Sequence, residues 1–230
     1  MAKNHHSGAA NHRINEEWLC RWREGNIGWH HEEYNPYLLG FWSEVEAPAG
    51  ARVFVPLCGK SRDMVWLVEQ GHSVVGVELS SLAVEGFFKE RRLSPSRGSL
   101  GPFERWRAGP YELLCGDIFD LDDSVLGRVD AVYDRASLVA FNPEQRRAYA
   151  QLLTRLVPKS VRMLLVAMEY PQGEMAGPPY SVEQREIKQL FSVQFSVHLL
   201  HSIDLLQETQ RYADRGLSSL LEKVYLLQRL

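Results

Sequence analysis

Cysteine is scarce in this chain: its 230 residues include three, Cys20, Cys58 and Cys115. An odd and widely scattered set argues against the disulfide framework that stabilises many small secreted proteins. The N-terminus also lacks the apolar core of a signal peptide. Both absences favour a reducing compartment, so we predict a cytoplasmic protein.

Positive charge is not in excess, because 26 lysines and arginines face 29 acidic residues and give a net charge of -3. Such a balance provides no electrostatic footprint for nucleic acid, and we predict no nucleic-acid partner. No apolar run approaches the roughly 20 residues of a membrane span, so no membrane partner is predicted. The chain also lacks heptads, repeats and linkers, which favours a monomer with a single domain.

The first residues, 1–14, are small and polar and show no apolar periodicity. This composition predicts a disordered tail. His5, His6 and His12 lie in the tail without an accompanying cysteine or carboxylate cluster, so we predict no metal site there or elsewhere. The whole chain is 45% hydrophobic, enough for a sizeable core, and residues 15–230 form the predicted domain.

Tryptophan is concentrated near the start of that domain, in a predicted helical segment at about residues 15–45. Trp18, Trp22 and Trp29 lie there within a short stretch. In one interpretation they belong to the hydrophobic core. In the other they form a lid, with indole faces that contact a cationic cofactor and an apolar substrate.

The segment from Arg52 to Ser80 has the pattern of a strand, a tight turn, a helix and a second strand. Val53–Leu57 and Val74–Val77 are short apolar runs without polar alternation, as expected of buried parallel strands. Glu78 follows about 20 residues after the turn, where doubly wound folds place a carboxylate that binds ribose hydroxyls. The spacing indicates a cofactor that contains a ribose.

The turn itself is poor in glycine. Gly59-Lys60-Ser61 resembles the end of a phosphate-binding loop, but Phe54 occupies the position where that loop needs another glycine. A dinucleotide site needs three glycines so that a pyrophosphate can approach the backbone, and this turn has one. A ribose without a pyrophosphate points to S-adenosylmethionine.

The alternation of strands and helices continues to the C-terminus. It predicts an α/β fold with a mostly parallel central sheet, an antiparallel C-terminal end and helices on both faces. The predicted strands are Tyr111–Cys115, Val129–Asp134, Met163–Met168, Phe195–Leu200 and Glu222–Leu227, the later helices are Ser81–Arg91 and Pro143–Leu156, and Ser94–Pro110 is predicted to be a surface loop.

Two strand ends carry candidate binding residues. Asp117 and Ile118 follow one strand, and this pair suits adenine. The carboxylate can accept a hydrogen bond from the exocyclic amine, and the aliphatic side chain can pack on the ring. Asp117 is alternatively the cap of a turn. Arg135 follows another strand, at the edge where open α/β sheets bind ligands. The loop Pro171–Pro179 leaves the same edge and is predicted to form part of the pocket wall.

Several ordered strings resemble the thiopurine S-methyltransferase family: EEWLCRWREGNIGWH, PLCGKS, GHSVVGVELS, CGDIFDL, YDRASLVAFNP, GPPYSV and LLEKVYLL. The resemblance runs from about Glu16 to the end of the chain. It implies a Rossmann-like class I methyltransferase that uses S-adenosylmethionine, forms S-adenosylhomocysteine and methylates a small-molecule aromatic or heterocyclic thiol. Alternatives are a halide or thiocyanate methyltransferase, a selenium or tellurium methyltransferase, and a binding protein that has lost catalysis.

The resemblance also implies site residues. The family's cofactor contacts fall on Trp22, Trp29, Leu57, Glu78, Asp117, Ile118 and Arg135. Trp29 also takes the place of the family's substrate-side aromatic residue, and Arg135 and Arg211 are implied to position the acceptor. No dedicated catalytic base is implied, because an in-line displacement by a thiolate depends mainly on orientation.

Overall fold

The computed structural model describes residues 15–230, apart from the side chain of Arg211. In this part of the chain there are nine strands: β1 (Arg52–Val55), β2 (Ser73–Glu78), β3 (Ser96–Leu100), β4 (Phe103–Ala108), β5 (Tyr111–Cys115), β6 (Ala131–Arg135), β7 (Arg162–Glu169), β8 (Phe195–Asp204) and β9 (Leu221–Arg229). They form one sheet in the order β3-β4-β5-β2-β1-β6-β7-β9-β8. The predicted tail, residues 1–14, lies outside the described residues.

Helices alternate with these strands along the chain. They are α1 (residues 15–23), α2 (Pro36–Phe41), α3 (Asp63–Glu69), α4 (Ser81–Glu90), α5 (Asp123–Leu126), α6 (Pro143–Leu156), α7 (Gln184–Phe191) and α8 (Gln210–Ala213). Short 3-10 turns cover Trp42–Val45, Ile118–Asp120, Leu138–Ala140, Gln172–Glu174 and Leu206–Glu208. Within the described residues, no helix is both long and apolar enough to cross a membrane.

The centre of the sheet is parallel, since β5, β2, β1, β6 and β7 pair as parallel neighbours. The predicted antiparallel C-terminal end is confirmed, because β9 pairs antiparallel with both β7 and β8. The opposite edge is antiparallel as well, through β3 and β4. The α/β prediction was therefore correct, and the antiparallel part of the sheet is larger than predicted.

The prediction of a surface loop at Ser94–Pro110 was wrong, because β3 and β4 form a hairpin there. Strand β3 is exposed along most of its length and therefore shows no apolar alternation. In β4 Phe103 and Trp106 are buried, and the guanidinium carbon of Arg97 lies 3.4 Å from the centre of the Trp106 ring. An exposed edge strand of this kind has the composition of a loop.

Two hydrophobic clusters cover opposite faces of the sheet. Phe54 of β1 and Val75 of β2 pack in one cluster with α6 and α7. Their neighbours Val53 and Val74 pack in the other cluster with α2, α3 and α4. Successive residues of a strand point to opposite faces, so both faces of these strands are buried and their sequence is continuously apolar. The predicted helices on both faces are confirmed.

Local capping explains why the bounds of helix α6 could be predicted. The Asn142 side chain accepts hydrogen bonds from the backbone N–H groups of Glu144 and Gln145, the Gln145 side-chain oxygen accepts one from the backbone N–H of Asn142, and Pro143 occupies the first turn. This arrangement satisfies N–H groups that the start of a helix leaves unpaired. The helix covers Pro143–Leu156, as predicted from the sequence.

Candidate active site

The carboxyl ends of the parallel strands open into one cavity of about 1080 Å³. Leu57 follows β1, Glu78 ends β2, Asp117 follows β5 and Arg135 ends β6, and all four line this cavity. Pockets for one small ligand usually enclose roughly 300 to 1,000 Å³, so there is room for a cofactor and an acceptor together.

The sheet order divides the cavity at β6, which carries Arg135. Glu78 and Asp117 lie on one side of Arg135, at the ends of β2 and β5. Met168 of β7 and Glu222 of β9 lie on the other side. We call these the Glu78 side and the Glu222 side.

The turn after β1 forms part of the Glu78 side. The predicted strand was two residues too long here, because β1 ends at Val55 and Leu57 has a positive φ of 45°. Gly59 also has a positive φ, 51°, and a Cβ at this position would lie 3.3 Å from Cζ2 of Trp22. Glycine thus allows both the backbone conformation and the close approach of the indole from α1.

Glu78 is held in place by the backbone of the residues around it. Its carboxylate accepts hydrogen bonds from the N–H of Gly59 at 2.9 Å and of Ser80 at 2.7 Å. The side chain lines the cavity although the residue is only 7% exposed. Burial raises the pKa of the Glu78 carboxyl to about 7, and the two backbone hydrogen bonds oppose that shift. Its geometry suits an acceptor for ribose hydroxyls, and that role stays a prediction.

Asp117 caps a turn, as one of the two interpretations of the sequence predicts. Its Oδ1 accepts from the backbone N–H of Phe119 at 2.9 Å. Its Oδ2 accepts from the side-chain amide of Asn15 in α1 at 2.6 Å. Each carboxylate oxygen has two lone pairs, so capping is compatible with binding an adenine amine. Ile118 is buried beside it and also lines the cavity.

The three N-terminal tryptophans form a connected group in the cavity wall. The Trp29 ring is 5.1 Å from that of Trp18 and 5.9 Å from that of Trp22, both edge to face. All three are only partly buried, and all three line the cavity. The structure thus places the three tryptophans in the wall of the cavity and not in the hydrophobic core. The Trp29 carbonyl also accepts a hydrogen bond from Nη1 of Arg135 at 3.4 Å.

The second predicted arginine, Arg211, belongs to α8, and its side chain lies outside the described residues. Arg215, which was not predicted, lines the Glu222 side and contacts the Tyr212 ring and the sulfur of Met175. The structure also brings Tyr37 and Glu222 to this side. Pro178 and Pro179 line the cavity, so the predicted loop does contribute to its wall.

The described residues include no group of three or more histidine, cysteine, aspartate or glutamate side chains that could hold a metal ion. The groups on the Glu78 side do fit S-adenosylmethionine. A buried carboxylate, a second carboxylate beside an aliphatic residue and a turn without a glycine-rich anion site match its ribose, its adenine and its lack of phosphate.

The sequence profile of the thiopurine S-methyltransferase family matches residues 13–230. The chain belongs to this family. A thiopurine S-methyltransferase of Nitrosospira multiformis is 51% identical over 212 residues, which are 92% of this chain and 96% of that protein. One from Xanthomonas axonopodis pv. citri is 47% identical, with 92% and 97% covered. The predicted family, the methyltransferase activity and the cofactor S-adenosylmethionine are thereby confirmed.

Solved structures show the same fold at low sequence identity. A 1,6-didemethyltoxoflavin-N1-methyltransferase of Burkholderia thailandensis, solved with S-adenosylhomocysteine, superposes with a TM-score of 0.65 at 18% identity and covers 100% of this chain and 91% of its own. A TehB-like SAM-dependent methyltransferase of Corynebacterium glutamicum gives a TM-score of 0.55 at 16% identity, with 94% and 98% covered. The Rossmann-like class I methyltransferase fold is confirmed.

In this family member, cofactor binding is expected to release a proton from Glu78. Burial raises the pKa of its carboxyl to about 7, so below that pH the ligand-free protein holds Glu78 in its protonated form. Proton uptake by Glu78 stabilises the folded state at low pH, and this stabilisation is lost as the pH rises through about 7. Ribose hydroxyls donate best to the ionised form, so affinity should rise up to about tenfold per pH unit below pH 7 and level off above it.

Calorimetry with S-adenosylhomocysteine at pH 6, in two buffers of different ionisation enthalpy, would measure that proton. The Glu78→Gln variant is the control, since it keeps the side-chain volume and cannot titrate. It should show a flat pH dependence between pH 5.5 and 8. Equal proton release by both proteins would contradict the assignment to Glu78.

Proposed function

We propose that the protein transfers the methyl group of S-adenosylmethionine to the sulfur of aromatic and heterocyclic thiols, including thiopurines. The observation that carries this proposal is one cavity that joins Glu78 and Asp117 to Arg135 and continues to the Glu222 side. The names of the curated relatives support the same acceptor class. The monomeric state and the cytoplasmic location predicted from the sequence stay predictions.

In this proposal the Glu78 side holds the cofactor, which supplies an electrophilic methyl group on a sulfonium. Glu78 accepts from the ribose, Asp117 and Ile118 hold the adenine, and Leu57 and Trp22 pack around the rest. The helical segment of about residues 15–45 acts as a lid. Its tryptophan faces exclude water and favour a cation through their ring electrons.

The Glu222 side then holds the acceptor, and orientation contributes most of the rate. Fixing the acceptor sulfur in line with the methyl group converts a bimolecular encounter into a local one, an effect of roughly 7 to 11 kcal/mol in favourable cases. A thiolate and a sulfonium lose charge as they react, so a dry apolar site also favours the transition state. Trp29 forms the apolar wall, and Arg135 and Arg211 position the sulfur and stabilise its anionic form.

Transfer of labelled methyl from S-adenosylmethionine to a panel of acceptors tests this function. The panel contains 6-mercaptopurine, thiophenol, selenite, iodide and a buffer blank. We expect transfer to the two thiols well above the blank. Transfer to iodide or selenite alone would replace thiol methylation by one of the alternative activities. Transfer to none, with cofactor binding verified by calorimetry, would favour a binding protein without catalysis.

A further inference from the structure

Glu222 places a carboxylate in the acceptor side of the cavity. It is the second residue of β9, opposite Met168 on β7 and Ile203 on β8. All three residues line the cavity. The carboxylate is therefore held by a central strand of a three-stranded antiparallel group, and a strand fixes a functional side chain better than a loop does.

Glu222 and its neighbour Lys223 differ in whether their charge is paired. Lys223 is buried and its ammonium lies 2.7 Å from the carboxylate of Glu169. Among the side chains that the structure describes, Glu222 forms no ion pair. Its carboxylate is partly buried and faces the cavity. The two oxygens together offer about four acceptor positions, so a hydrogen bond with the Tyr37 hydroxyl leaves room for one from a ligand.

The charge of Glu222 acts on the hydroxyl groups of two tyrosines, Tyr37 and Tyr133. Burial raises the pKa of the Tyr37 hydroxyl, and Glu222 raises it further through its charge and through a hydrogen bond with that hydroxyl. Burial also raises the pKa of the Tyr133 hydroxyl, where the charge of Arg135 acts in the opposite direction to that of Glu222. Arg135 of β6 and Glu222 of β9 line the same cavity, so an acceptor bound there meets one cation and one anion.

We propose that Glu222 selects heterocyclic thiols by binding the N–H next to their carbon–sulfur bond and taking up its proton during methyl transfer. The inference rests on the proposed function. Heterocyclic thiols with a ring nitrogen beside that carbon hold their proton on nitrogen, in the thione form. A hydrogen bond from this N–H to a carboxylate moves electron density toward sulfur, whereas a simple aromatic thiol has no such group.

The step balances with the proposed reactants alone. The sulfur forms a bond to the methyl carbon as the bond from that carbon to the sulfonium sulfur breaks, and this electron pair stays on the departing thioether. The electrons of the ring N–H bond form a carbon–nitrogen double bond, and the carbon–sulfur double bond becomes a single bond as its π pair moves to the sulfur that bonds the methyl carbon. The proton passes to the Glu222 carboxylate and then to water.

The test compares Glu222→Gln with the unchanged protein on 6-mercaptopurine and on thiophenol. A positioned proton acceptor contributes typically 10² to 10⁴ in rate, so kcat/KM for 6-mercaptopurine should fall about a hundredfold. The value for thiophenol should change less than about threefold, since no N–H is present. Glu85→Gln is the control, because Glu85 is an exposed carboxylate on α4 and is not among the residues that line the cavity. It should leave both values unchanged.

Equal loss on both acceptors would overturn the role of Glu222 and leave the proposed function intact. Failure of the unchanged protein to methylate either thiol would instead overturn the proposed function. Glu222→Asp keeps the carboxylate and should retain more activity on 6-mercaptopurine than Glu222→Gln does. Equal activity of the two folded variants on that acceptor would contradict proton transfer to this side chain.

A second readout needs no turnover. The ultraviolet spectrum of 6-mercaptopurine should shift on binding to the protein with S-adenosylhomocysteine, because a hydrogen bond to the ring N–H perturbs the thione band. Glu222→Gln should reduce that shift and weaken binding about tenfold, as expected for one hydrogen bond to a charged group. Identical spectra and affinities for both proteins would contradict the proposal.

Discussion

Replacing Glu78 by alanine is expected to weaken S-adenosylhomocysteine binding about a hundredfold. In the proposed site the carboxylate accepts from both ribose hydroxyls, and hydrogen bonds to a charged group contribute about 1.5 to 3 kcal/mol each. A loss of about 3 kcal/mol corresponds to roughly two orders of magnitude in Kd. Titration calorimetry at pH 8, where Glu78 is largely ionised in the unchanged protein, measures the effect.

The same substitution also removes the hydrogen bonds that Glu78 accepts from Gly59 and Ser80. A cofactor analogue separates the two contributions. The 2′-deoxy form of S-adenosylhomocysteine lacks one hydroxyl, so the variant should discriminate against it far less than the unchanged protein does. If both proteins lost the same factor with this analogue, Glu78 would have a structural role only.

The Glu78 side could be predicted because its chemistry is local in sequence. Glu78 ends a buried strand, Leu57 is the last residue of the first predicted strand, and Arg135 directly follows another predicted strand. Parallel strands bring their carboxyl ends to one edge, so the spacing alone predicts that these residues converge. Only the structure shows which of these strand ends are neighbours and that the N-terminal tryptophans complete the cavity wall.

The Glu222 side was less predictable because it depends on contacts between distant segments. Tyr37 and Glu222 come together only after β9 inserts between β7 and β8. The sequence identifies β9 as an apolar strand, but its neighbouring Glu222 and Lys223 have different environments, and only the structure shows that Lys223 pairs with Glu169. Arg215 lies in a short polar segment after α8 that has no periodic pattern.

For the N-terminal tryptophans the residue type alone predicts two locations, the hydrophobic core and the wall of a binding site. An indole suits a core and a ligand-binding wall equally well. Gly59 decides between them for Trp22, because the missing Cβ allows the ring to pack over the turn that borders the cavity. A lone glycine in a turn was interpreted from the sequence only as the absence of a phosphate site.

Replacing Arg135 by methionine is expected to lower kcat/KM about a hundredfold for thiophenol and 6-mercaptopurine alike, with cofactor Kd changed less than about tenfold. Arg135 lies between the two sides of the cavity and hydrogen-bonds the Trp29 carbonyl. A cation near a thiol lowers its pKa by about 1 to 3 units, and loss of one positioned donor costs roughly 10² to 10³ in rate. Methionine keeps the length and apolar contacts of the side chain and removes the charge.

The pH profile distinguishes this role from a structural one. Without the cation, the rise of kcat/KM for thiophenol should move to higher pH, because more alkaline conditions are needed to form the thiolate. Arg135→Lys keeps the charge and should restore the profile while recovering only part of the rate, since lysine lacks the planar donor fork. A uniform loss at every pH, or an equal loss of cofactor affinity, would contradict acceptor positioning. Glu222→Gln should affect only acceptors that carry a ring N–H, whereas Arg135→Met should affect both thiols. Comparing the two variants would therefore separate stabilisation of the anionic sulfur by Arg135 from removal of the ring proton by Glu222.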